Sequence, residues 1–165
     1  MKSVGTISEM RHVIAGARAK GKSIALVPTM GALHEGHLTL IDEASNVADL
    51  VVMSIFVNPL QFGPNEDFAR YPRTLEDDAK LAAKRGVDFL FTPLKEDIYP
   101  EYAPVVLVHP GSIGKEWEGA VRPHHFEGVL TVVAKLFNII MPDVAVFGQK
   151  DLQQAATVKA MVRDL

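Results

Sequence analysis

The sequence predicts an α/β protein built on an open, doubly wound parallel sheet. Short, nearly continuous apolar runs occur at Ser23–Val27, Leu50–Phe56, Val87–Phe91 and Val144–Phe147, the pattern of strands buried on both faces. Amphipathic helical patterns lie between them at His37–Val47, Thr74–Arg85 and Gly128–Ile140, with another from Asp151 to the end. Strands that alternate with helices of this length predict parallel pairing with helices on both faces.

Before the first strand, Ile7, Met10, Val13, Ile14 and Ala17 recur at helical spacing, with Ser8 as N-cap and Gly21 where the helix would stop. The first 22 residues thus read as an amphipathic helix rather than a signal peptide. Two stretches break the alternation, residues 57–73 and 92–126, and their Pro, Gly and aromatic content argues for long loops, a common home of function. Within the second, Val105–His109 has the composition of an additional strand.

With 165 residues, 48% of them hydrophobic, the chain is sized for one core. A net charge of −3 supplies no broad basic field, which argues against nucleic acid or an anionic membrane as partner. No run approaches the roughly 18 apolar residues of a membrane span, and there is no cysteine. These features predict a soluble, cytoplasmic protein.

In an open α/β sheet, ligands bind beyond the carboxyl ends of the strands, where helix N-termini offer unpaired N–H groups. The segment "PTMGALHEGH" follows the first strand and presents Gly31, Gly36, His34 and His37 there. A zinc-protease reading fails on spacing: that helix needs two His four apart, whereas His34 and His37 are three apart with Gly36 between. Phosphate binding and an ordinary hydrogen-bonded turn remain as readings, the first favoured by position. "FGQKDLQQ" repeats the geometry, so Lys150 could meet a phosphate and Asp151 a ribose hydroxyl, or Asp151 could simply cap a helix. Gln61, Gln153 and Gln154 suit a hydroxyl or carboxylate ligand. "RPHHF" sets Arg122 beside two histidines, for an anion or as a brace, while Glu76–Asp78 fits the acidic first turn of a helix better than a Mg²⁺ site.

Taken in order, "LVPTMGALHEGHLTLIDEA", "SIFVNPLQFGPNEDFARYPRT", "EGAVRPHHFEGV" and "VAVFGQKDLQQ" closely resemble the pantothenate synthetases, ligases that join pantoate to β-alanine using ATP. "HEGH" also resembles the HIGH-type signature of the wider nucleotidyltransferase superfamily, which includes class I aminoacyl-tRNA synthetases. The resemblance implies a Rossmann-like domain and a two-step reaction, in which pantoyl adenylate forms with release of pyrophosphate and the β-alanine amine then displaces AMP. It implies an ATP site lined by Met30, Gly31, Ala32, Leu33, His34, Glu35, Gly36 and His37, with His37 as proton donor, and by Gly148, Gln149, Lys150 and Asp151 on the other side. His34, His37 and Lys150 would act on the phosphates. Gln61 and Gln154 would hold pantoate, with Asn58 and Arg122 also at the substrate, and Mg²⁺ would bridge the ATP phosphates. Family members are commonly homodimers.

The family continues beyond this chain, and its second signature, a serine- and arginine-containing loop, is absent. Residues 1–165 are therefore expected to be one nucleotide- and pantoate-binding domain without the smaller C-terminal lid domain. His124 stands where such enzymes more often carry glycine. The competing expectations are another nucleotidyltransferase, which would carry more basic residues around its acceptor pocket, and a truncated domain that binds ligand or dimerises without catalysis.

Overall fold

A computed structural model describes residues 1–64, 66, 68–101 and 104–165. Asn65, Asp67, Tyr102 and Ala103, which the sequence assigns to the two long loops, lie outside the described residues. Five strands, β1 (Lys2–Val4), β2 (Ile24–Thr29), β3 (Leu50–Ile55), β4 (Phe89–Phe91) and β5 (Val144–Ala145), form one sheet in the order β1-β4-β3-β2-β5. Every pairing is parallel.

The apolar runs are continuous because both faces of the sheet are covered. Ile24, Leu26, Leu50 and Val52 point into one core, against α1 (Ile7–Arg18), α6 (His125–Ile140) and α7 (Leu152–Asp164). Their neighbours Ala25, Val27, Val51 and Met53 point into the other, against α2 (Glu35–Val47) and α3 (Leu75–Lys84). Burying each large side chain of this kind contributes about 1.5–3 kcal/mol. Helix α6 is the most apolar: Val129, Leu130, Val132, Val133, Leu136, Ile139 and Ile140 are all buried. Among the described residues no helix is long and apolar enough to cross a membrane.

Several local expectations are corrected. Helix α1 is capped by Thr6, whose Oγ1 accepts the Glu9 amide at 3.2 Å, and Ser8 lies inside its first turn. Lys2–Val4 is not helical; it adds a parallel edge strand to β4, where Val4 is fully buried. Val105–His109 forms no strand, and Val105 and Val106 are exposed. The strand expected over Val144–Phe147 is shorter, although the Val146 amide still donates to Leu26 O at 2.9 Å. The two loops also contain short helical turns, at Pro59–Gln61, α4 (Lys95–Ile98), Gly111–Lys115 and α5 (Trp117–Val121).

Candidate active site

From β2 the chain proceeds through β3 to β4 in one direction across the sheet, then returns to lay β5 on the other side of β2. The crevice between the carboxyl ends of β2 and β5 is thus the switch point of the sheet, where open α/β folds bind ligands. A cleft of about 230 Å³ lies there. Thr29, Met30 and His37 line it from the β2 side, Asn58 and Gln61 from the turn after β3, and Asp151 and Gln154 from the start of α7. Val129, Val132 and Val133 of α6 supply its apolar floor.

The turn from β2 into α2 holds its shape through backbone hydrogen bonds. Gly31 and Ala32 have φ of 89° and 52°, a left-handed pair that costs Ala32 the usual Cβ strain. The strain is held by Asp78 of α3, only 2% exposed, whose Oδ2 accepts the Ala32 amide at 2.9 Å and Oδ1 the Leu33 amide at 2.8 Å. Thr74 Oγ1 adds a third donor to the same carboxylate at 3.2 Å. A Cβ on Gly31 would stand 3.0 Å from Asp78 Oδ2, so glycine is required there by both φ and space. The Gly31 amide donates to Thr29 Oγ1 at 3.2 Å.

His34 and His37 then cap α2 reciprocally. The Gly36 amide donates to His34 Nδ1 at 3.1 Å, and the His34 amide to His37 Nδ1 at 3.3 Å. The rings lie 4.2 Å apart between centroids. Burial, followed by the neighbouring His34, pulls the His37 pKa below its ordinary 6.5, and Lys150 adds to the depression; Asp78 and Asp151 act against it. Glu35 pairs with Arg85 just after α3 and is not among the residues that line the cleft.

A buried polar chain fixes Gln61. Asn58 Nδ2 donates to Gly128 O and to Gln61 Oε1, each at 3.0 Å, while Asn58 Oδ1 accepts from Tyr99 Oη at 2.8 Å and from the Leu60 amide. Burial raises the Tyr99 phenol pKa, so the hydroxyl stays a neutral donor. Because Gly128 O can only accept and the Leu60 amide can only donate, the orientation of the Asn58 amide is decided. Gln61 consequently directs its Nε2 toward Met30 Sδ, at 3.1 Å, on the cleft side. A side chain on Gly128 would run into the Leu60 carbonyl, so this glycine is what lets α6 approach the Gln61 turn.

On the opposite wall, Asp151 occupies the N-cap position of α7 without a side-chain cap bond and lines both the cleft and the groove beside it. Lys150 is exposed beside it and lines the adjoining groove with Trp117 and Leu152. Gly148 is half-buried with nothing within 4 Å of a Cβ position, and Gln149 faces a separate groove along β5. Gln154 reaches the cleft, whereas Gln153 is a strut: its amide holds Glu118 N, Ile113 O and Glu116 O.

Arg122 is not among the residues that line the cleft. Its guanidinium grips Glu66 at 2.6 and 2.8 Å and Glu118 at 2.7 Å, and reaches Gln61 O at 3.4 Å. His125 Nδ1 bonds the same carbonyl at 2.8 Å. This ion-paired cluster braces the loop that carries Gln61, the brace reading of "RPHHF". His124, at φ 68°, is left-handed, which explains the advantage of glycine at that position, and its ring pairs with Glu127 at 3.0 Å. Sequence reasoning placed Asp78 only in the acidic first turn of a helix, without its role at the His34 turn, and passed over Tyr99. The one available signal for Asp78 was a threonine four residues earlier on the same helix face.

A parallel sheet with this strand order, entered at its switch point by a His-x-x-His turn that opens a helix, defines the Rossmann-like fold of the HIGH-type nucleotidyltransferases. The family model described as pantoate-beta-alanine ligase matches residues 2–165. The chain belongs to the pantoate-β-alanine ligase family. It is 58% identical to the pantothenate synthetase of Moorella thermoacetica, an alignment that covers 100% of this chain and 58% of that protein. It is 56% identical to that of a Nocardioides species, with 97% of this chain and 50% of that one covered. The crystal structure of the Thermus thermophilus pantothenate synthetase superposes with a TM-score of 0.91 at 50% identity, over 99% of this chain and 58% of that one. The Francisella tularensis pantoate-β-alanine ligase, solved with beta-gamma ATP and β-alanine, gives 0.93 at 42% identity, over 99% and 62%. The chain therefore spans about half to three fifths of the length of these relatives.

Proposed function

We propose that residues 1–165 form one domain carrying the adenylation site of an ATP-dependent pantoate–β-alanine ligase, and that the activity belongs to a protein of the family's full length. The observation that carries the reading is the convergence of Met30, His37, Asn58, Gln61, Asp151 and Gln154, from three segments far apart in sequence, on one cleft at the switch point. The ATP- and β-alanine-bound Francisella relative supports the choice of ligands.

Pantoate lies on the valine floor of α6, with Gln61 and Gln154 directed at its oxygens. The residues from Met30 to His37 and from Gly148 to Asp151 flank ATP. A pantoate carboxylate oxygen attacks the α-phosphorus; the new P–O bond forms as the bond to the β-phosphate breaks, and pyrophosphate leaves. Negative charge grows on the phosphate oxygens, where His34, His37 and Lys150 stabilise it. The β-alanine amine then attacks the acyl carbon, loses a proton and expels AMP. Gln61 and Gln154 suit the alignment because they neither titrate nor compete as nucleophiles. Mg²⁺ in this reading would come with ATP and would help neutralise the charge on its phosphates beside His34, His37 and Lys150. Assembly as a homodimer in the cytoplasm belongs to the same proposal, and gel filtration tests the dimer.

Protein-observed NMR titration tests the reading directly. Mg-ATP is expected to shift Met30–His37 and Gly148–Asp151, and added pantoate to shift Gln61 and Gln154. Pantoate shifts confined to the surface groove along β5 would overturn the assignment.

A further inference from the structure

We infer that the cap of α2 fixes one tautomer in both His34 and His37, with the proton on Nε2, so that they meet an anion as a pair of outward N–H donors. The argument is one of hydrogen-bond polarity. A backbone N–H can only donate. The Gly36 amide is aimed at His34 Nδ1 at 3.1 Å and the His34 amide at His37 Nδ1 at 3.3 Å, so both Nδ1 atoms are acceptors and carry no proton. In a neutral ring the proton is then on Nε2, the atom furthest from the backbone.

Protonation of either ring would place an N–H against an N–H and break one half of the cap. The surroundings oppose it as well. For His37, the His34 ring lies 4.2 Å away between centroids, and the start of a 13-residue helix, whose dipole disfavours a cation, lies beside it. The charged groups facing His37 from other elements are Asp78 of α3 and Lys150 and Asp151 before α7; Tyr71 lines the same cleft. The two acids favour the imidazolium, but burial and His34 outweigh them.

The cap also changes what can reach a phosphate. The Gly31, Ala32, Leu33, His34 and Gly36 amides all have partners within the turn or on Asp78. With those amides taken, the side-chain Nε2–H groups are donors whose direction a tautomer lock sets before the ligand arrives, beside the Met30 and Glu35 amides. The anion as an ATP phosphate rests on the function proposed above; the tautomers do not.

Long-range ¹H–¹⁵N spectra of the histidine side chains in the ligand-free chain, at about pH 8, above the ordinary imidazole range, test the lock. Both rings are expected to show an unprotonated Nδ1 and a protonated Nε2. On acidification, the His34 and Gly36 amides should shift together with the ring whose Nδ1 each one caps. An Nδ1–H tautomer at either residue, or ring titration that leaves those two amides unmoved, overturns the inference. His37→Asn provides a second reading: its Oδ1 can still accept the His34 amide while the imidazole's outward Nε2–H is gone, so the His34 amide should keep its wild-type protection from hydrogen exchange. A His34 amide that exchanges as freely as a solvent-exposed one in this variant counts against the lock. Mg-ATP added to the wild-type sample separates the two proposals, since locked tautomers without ATP-induced shifts would sink the adenylation reading alone.

Discussion

Asp78→Asn is the most informative single perturbation of this fold, because one carboxylate holds two consecutive amides of the left-handed turn that leads into His34 and His37. Hydrogen bonds to a charged acceptor contribute about 1.5–3 kcal/mol each, and a buried donor left unpaired costs about 1–3 kcal/mol. Asparagine keeps one oxygen, so one bond survives at neutral strength. Its NH₂ group faces the other amide N–H, so that bond is lost and its donor stranded in a site only 2% exposed in the parent. The expected destabilisation is about 3 kcal/mol, roughly a hundredfold in the folding constant. Urea unfolding followed by circular dichroism measures it, with an unchanged m-value as the sign that stability alone has moved. The same substitution removes a charge that raises the His37 pKa, so His37 should titrate lower in the variant by NMR. A loss of stability under about 0.5 kcal/mol, within the range of a neutral surface change, would refute the claim that this carboxylate holds the turn.

Gly128→Ala places a methyl group against backbone on the Gln61 turn, 2.6 Å from Gln61 N. Overpacking of about 1–3 kcal/mol is partly offset by about 1 kcal/mol of helix propensity, giving a net loss of up to about 2 kcal/mol by urea unfolding, and pantoate should be weakened more than ATP in the NMR titration. Equal weakening of both ligands would mean general disorder rather than a displaced Gln61. Glu66 has its carboxyl lowered to about 2, chiefly by its hydrogen bonds to Arg122. A depressed folded-state pKa stabilises above the unfolded value and loses that stabilisation as pH falls from about 4.5 towards 2. Glu66→Gln should therefore flatten the pH dependence of stability in that window, measured by unfolding at each pH, and an identical slope in both proteins would contradict the pairing.

The helices and the central strands are legible in the sequence because their signal is local. A strand covered on both faces must be apolar at successive positions, as in Ile24–Val27 and Leu50–Met53, and a helix over a core must be apolar at every third or fourth. The histidine turn is legible for the same reason: it follows a buried strand directly and contains its own glycine. β1 was not legible, since Lys2–Val4 is three residues long and only pairing with β4 makes it a strand. Val105–His109 had strand composition but found no partner edge. The site divides along the same line. His34 and His37 are three residues apart and cap each other through local bonds, so spacing alone points to them. Asp78 lies 45 and 46 residues from the amides it holds, and Arg122 lies 56 residues from Glu66. A carboxylate in a helix's first turn and an arginine in a loop have ordinary local explanations, and nothing in their neighbours' identities reveals a partner that distant. By itself the sequence determined the parallel α/β layering and the candidate segments at the carboxyl ends of the strands. Only the tertiary structure decided which of their side chains face the cleft and which brace it, because that choice depends on hydrogen-bond partners brought together by packing across the sheet.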